Sequence, residues 1–115
     1  MVCDVEYNTL IKATENLHEL YYQQETADIQ FYNAIKTAES HLISSGLSRL
    51  VNASPAEIIY SLEEITEQDF VILHEAAKVK SQMDTTILAA EESYRYASQR
   101  YEDCLKENTD KTKKS

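Results

Sequence analysis

Histidine, cysteine, tyrosine and carboxylate are the side chains here whose spacing could do chemistry. Glu15-Asn16-Leu17-His18 is one Glu-x-x-His, a pair that shares a helix face. Carboxylate-bridged two-metal bundles use such pairs, but they need two copies plus two further inward glutamates. Val71 stands three residues before His74 and Ala38 three before His41, so the chain has no second copy. It has no Gly-x-Ser-x-Gly elbow and no Cys-x-x-Cys. One glycine cannot build a phosphate-cradling loop. We therefore expect no metal, no cofactor and no enzymatic activity.

The remaining reactive groups point to surfaces rather than catalysis. Eight tyrosines without a tryptophan is unusual for 115 residues. Tyr7, Tyr94, Tyr96 and Tyr101 gather at one end of a hairpin. They fit either a bundle core whose hydroxyls reach the rim or a partner-binding surface of Tyr94, Tyr96 and Tyr101, since tyrosine offers rigid contact area with a polar handle. Acid is also unevenly spread. No base lies between Arg49 and Lys78, while Glu57, Glu63, Glu64, Glu67, Asp69 and Glu75 all do. The plain reading is a solvated face; the functional one is an acidic surface that docks on a basic protein. The net charge of −9 argues against nucleic acid and membrane as ligands, both of which want a basic face.

These groups sit on an all-α framework. Residues 4–45 read as one helix, with a seam of Leu10, Ala13, Leu17, Leu20, Gln24, Ala27, Phe31, Ala34, Ala38 and His41 that alternates by three and four. Ser44-Ser45-Gly46 ends it, with glycine where a left-handed cap belongs. Leu47–Val51 is apolar enough to tuck in as a helical turn. Ser54-Pro55-Ala56-Glu57 is a cap, a first-turn proline and a capping box, and opens a short helix at about 55–64. The heptad phase then continues through Thr66 and Asp69. Both are poor seam residues, which favours a break before a long helix at 67–106. Its ladders are Leu73, Lys80, Ile87, Tyr94, Tyr101 and Ala76, Met83, Ala90, Ala97, Cys104. Gln24, His41 and Lys80 are the polar seam positions. They are expected to reach the edge, to be paired, or to fix register. Residues 1–107 form one domain in this reading, and the polar tail 108–115 is frayed.

Two helices leave much of this stripe wet. Leu17, Leu20, Phe31, Ile35, Leu73, Met83 and Ile87 are therefore the expected oligomer seam, and a homodimer closing a four-helix bundle or coiled coil is the expected remedy. Cys3 and Cys104 fall at the same end of the hairpin, beside Tyr7 and Tyr101. They are expected as neighbouring reduced thiols that mild oxidation can cross-link. With no basic-then-apolar leader pattern and no apolar run of membrane-spanning length, an intracellular location is the expectation, with leaderless secretion as the alternative. The functional expectation is an acidic, non-enzymatic helical interaction module that acts through self-association and a presented surface. Its alternatives are an acidic inhibitor or nucleic-acid mimic of the phage anti-defence type that blocks a basic site, a small secreted helical hairpin, or a small ligand- or metal-binding bundle.

Overall fold

The chain's one glycine decides where the first helix stops. In the computed structural model of the protein, α1 spans Asp4–Ser44 and Gly46 follows at φ 76°. That left-handed backbone would strain any residue with a Cβ. The Leu47 N–H donates to the Leu42 carbonyl at 2.8 Å, and the Gly46 N–H to the Ile43 carbonyl at 3.2 Å. These two bonds satisfy the last carbonyls of the helix, and Leu47 drops onto the core. A 3-10 turn, Ser48–Asn52, leads to α2, Pro55–Leu62. Ser54 Oγ caps α2 by accepting the Glu57 N–H at 3.3 Å, with proline in the first turn. After a break, α3 runs Gln68–Lys114. The structure describes the backbone of residues 2–114 and the side chains of residues 2–109.

The fold is the expected all-α helical hairpin, in which the long N-terminal helix packs on the long C-terminal one. Two compact units each take a length of both long helices. The bend unit, Tyr22–Thr85, also holds the 3-10 turn and α2. There Leu50, Ile58 and Leu62 of the connector meet Leu42 of α1 and Leu73 of α3, and all five are fully buried. Each such side chain contributes about 1.5–3 kcal/mol of transfer energy. Ala34, Ala38 and Ala77 let the axes approach. The polar seam residues are paired across the hairpin. Gln24 donates to Asp84 at 3.0 Å, Lys80 to Asp28 at 2.7 Å, and His41 meets Asp69 at 2.9 Å. A slip of one residue would break all three, so they pin the register.

The terminal unit, Met1–Tyr21 with Thr86–Ser115, has only the two long helices. Its buried hydrophobic residues are Cys3, Leu17, Ile87, Ala90 and Ala97. Tyr7 and Tyr101 pack at 5.5 Å between ring centroids, and Tyr21 donates to Glu91 at 2.8 Å. Cys3 and Cys104 are joined as a disulfide with Cα atoms 6.0 Å apart, where reduced thiols were expected. Cys3 stands just before α1 in the left-handed region, at φ 74°, and this departure from the helix lets it reach α3. The amide of Asn108 covers the bond, donating to the Cys104 carbonyl at 2.7 Å.

Two further expectations change. Leu17, Phe31, Leu73 and Ile87 are buried within one chain, and Leu20, Ile35 and Met83 are half-buried there. The wet seam that motivated a dimer is thus largely covered by the chain itself, because alanines bring the helices close and the connector roofs the bend. Beyond 107, where a frayed tail was expected, α3 is described up to Lys114. Asn108 and Thr109 bond back to the carbonyls four residues before them. Ser115 lies outside the described residues.

Candidate functional site

The acids singled out in the sequence belong to the bend unit and the tyrosines to the terminal unit. They make different surfaces. Tyr94 and Tyr101 are half-buried, with Tyr101 against Tyr7, so both are packing residues. Tyr96 alone of the three is exposed. Its ring lies under the Arg100 guanidinium at 5.9 Å and edges a shallow groove with Val5, Thr9 and Ala97.

The acids divide into a clasp and a free face. The clasp closes the end of α1 onto the start of α3. His41 Nε2 lies 2.5 Å from Glu67 Oε2, and Nδ1 lies 2.9 Å from Asp69 Oδ2. A neutral imidazole carries one N–H and could not face two carboxylates, so the ring is an imidazolium here. The hydrogen bond to Asp69 is the main reason its pKa lies above the usual histidine value; partial desolvation opposes it, and the charges of Asp69 and Glu67 add to the rise. The ring also stacks on Phe70, with centroids 4.4 Å apart. Asp69 Oδ1 accepts the Phe70 N–H at 3.1 Å, so the same carboxylate orients the histidine and the first turn of α3. His41, Glu67 and Asp69 bring three ligand atoms within 4.8 Å of one another, and in the protonated clasp both ring nitrogens are engaged by the carboxylates. Glu67 and Asp69 are therefore fastening groups.

The free face is on α2. Ile58 and Leu62 turn inward, which leaves Glu57, Tyr60 and Glu63 on the opposite side with Glu64 beside them. Tyr60 is 84% exposed. Glu57 has a distant partner in Arg49, at 3.7 Å. Among the described residues no cation pairs with Glu63 or Glu64. Glu63 is the C-cap of α2, at the negative end of the helix dipole, where an acid is unfavourable by about 0.3–1 kcal/mol. Tyr60 is a residue the sequence reading missed. Its signal was present in the spacing of 57, 60, 63 and 64, a polar stripe that runs from α2 through its C-cap into the following turn, opposite Ile58 and Leu62.

The bend unit also has an open groove of about 490 Å³. Gln30, Asn33 and Thr37 form one wall and Ile72, Ala76 and Val79 the other. Asp69 and Glu75 also line it. Glu15 and His18 are both exposed. No described helix is long and apolar enough to cross a membrane. No family model, curated protein or solved structure matches the chain.

Proposed function

We propose that the protein is a non-enzymatic helical interaction module that associates with itself and presents the outer face of α2 to a basic protein partner. The observation that carries the reading is Tyr60, almost fully exposed beside Glu57, Glu63 and Glu64, with Glu63 at the negative end of the helix and, among the described residues, no cation paired with Glu63 or Glu64. A protein that needed only solubility would place such charges elsewhere. A lysine- or arginine-bearing surface would neutralise the carboxylates, relieve the dipole and stack a cation on the tyrosine ring. The charge is concentrated accordingly. The bend unit holds four bases against ten acids, net −6, and the terminal unit seven against ten, net −3.

A lysine-rich peptide titrated against the protein at low and moderate salt tests this. Binding should weaken with salt, and Glu63→Lys with Glu64→Lys should slow association more than it speeds dissociation. Tyr60→Ala should act mainly on dissociation. Equal binding by all variants would reduce the acids to solubilising groups. The inhibitor or nucleic-acid mimic is the form this function takes if the basic partner is itself a nucleic-acid binder, and competition by DNA for that partner reports it. The compartment hangs on the Cys3–Cys104 bond: an intracellular protein would carry it reduced, and an oxidising compartment would keep it. Thiol trapping of protein from its source cells separates the two.

A further inference from the structure

The back of α1 in the bend unit carries a second apolar stripe that the hairpin does not use. Tyr22, Ile29, Tyr32 and Ile43 are each between 55% and 70% exposed. Tyr22, Ile29, Lys36 and Ile43 recur every seventh residue, and Glu25, Tyr32 and Glu39 form the ladder three on. At 3.6 residues per turn this stripe lies roughly 105–205° around the helix from the buried side chains of Phe31, Ala34 and Ala38, with the first ladder nearest the far side. A surface helix should be polar there. Instead it shows an alternating three-four spacing, the pattern of a helix that packs against another helix.

We propose that a second copy of this chain covers the stripe, with the two α1 helices antiparallel about a two-fold axis near residues 30 and 31. The charges choose both the occupant and the direction. A parallel pair sets each ladder position against itself, so Lys36 would face Lys36 and Glu25 would face Glu25. The antiparallel pair sets one ladder against the other. Ile29 then meets the partner's Tyr32, and Lys36 meets the partner's Glu25, each contact occurring twice by symmetry. Among the described residues Glu25 has no ion pair. Lys36 has only a 4.0 Å approach to Glu39 and the face of Tyr32 at 5.5 Å, both on its own helix. This proposal rests on the self-association half of the functional reading and replaces the seam expected from the sequence, much of which the single chain buries.

Sedimentation velocity across micromolar concentrations at low salt is the test. Wild type should be a dimer. Lys36→Glu and Glu25→Lys each turn two attractive contacts into repulsive ones and should weaken the dimer on the order of tenfold. Because both residues are exposed, helicity and thermal midpoint should stay as in wild type. The two residues are eleven apart on one helix and cannot pair within a chain. The double variant Lys36→Glu/Glu25→Lys should therefore regain the dimer, and an equimolar mixture of the two single variants should form one too. A wild-type monomer at every concentration, dimers indifferent to Lys36→Glu and Ile29→Asp, or no rescue in the double variant would each overturn the proposal. The last outcome would assign the stripe to a different partner helix. Lys36→Glu should leave lysine-peptide binding unchanged, and Glu63→Lys with Glu64→Lys should leave the dimer unchanged, so failure of one reading is distinguishable from failure of the other.

Discussion

The two units of this hairpin are held together by different means. In the bend unit a third element covers the helix pair, and Leu50, Ile58 and Leu62 disappear completely into the core with Leu42 and Leu73. Among the described residues the terminal unit has no third element, and none of the five largest fully buried side chains is found there. Two bare helices cannot enclose a leucine on all sides. The terminal unit uses small residues at close approach, tyrosines whose hydroxyls stay at the rim, and a covalent link between Cys3 and Cys104. Where burial is scarce, the chain relies on restricting the unfolded state; where a roof is present, it relies on the hydrophobic effect.

Reduction of the disulfide is the strongest way to break this contrast. The bond spans 101 residues of sequence, and closing a loop of about 100 residues is worth roughly 4–5 kcal/mol in the chain-entropy account. Oxidised protein treated with a reductant should lose stability of that order to denaturant. Hydrogen exchange should show terminal-unit amides losing protection first, with the amides around Leu42 and Leu73 following only on global opening. Equal loss in both units would mean they open as one and that the contrast has no energetic content.

Leu50→Ala is the mirror experiment, with a somewhat smaller effect. The side chain is fully buried on the 3-10 turn, and its truncation leaves a cavity in the roof. A loss of about 3 kcal/mol is expected, within the range for buried leucines. Exchange should now accelerate first in the bend unit, while the disulfide continues to hold the terminal unit. If the terminal unit also lost protection first in this variant, the roof would not be what stabilises the bend.

The sequence disclosed local signals well and pairings poorly. Gly46 and Ser54-Pro55 ended and began helices as their chemistry requires, since each acts within a few residues. Thr66 and Asp69 read as poor seam residues, and a break does fall before Gln68. That Asp69 would meet His41 needed the register, which no local pattern contains. The redox state of two cysteines is likewise not written in their spacing; only their shared end of the hairpin was. The hydropathy of the tail carried no sign that Asn108 would lie over the disulfide or that Thr109 would bond to the Leu105 carbonyl. The outer stripe of α1 was hidden by a stronger one. Once Phe31, Ala34 and Ala38 were assigned inward, Tyr22, Ile29 and Tyr32 passed as ordinary surface. Of the five acids expected on a partner surface, Glu57, Glu63 and Glu64 are exposed, whereas Glu67 and Asp69 are committed to His41.

That commitment sharpens the contrast further, because it gives the bend unit a pH dependence of its own, centred on His41. His41 is held as an imidazolium by Asp69 and Glu67, so its folded-state pKa is raised above the value near 6.5 that it has in the unfolded chain. The folded state then binds more protons than the unfolded state between those two values. The stabilising contribution is fully present below about pH 6.5 and is lost as pH rises through the raised value. The effect should be the smallest of the three, because the ring is 38% exposed and solvent screens both pairs. The measurement is the denaturant midpoint from pH 6 to pH 9 for wild type and His41→Gln, with oxidised protein throughout. The other two histidines are common to both proteins, so the difference between the curves isolates His41. The wild-type advantage should shrink as pH rises, and exchange in the first turn of α3 should accelerate with it. An advantage that grew with pH would mean that the neutral ring, not the imidazolium, is the folded form, and that the clasp is a packing contact with Phe70 rather than an ionic one.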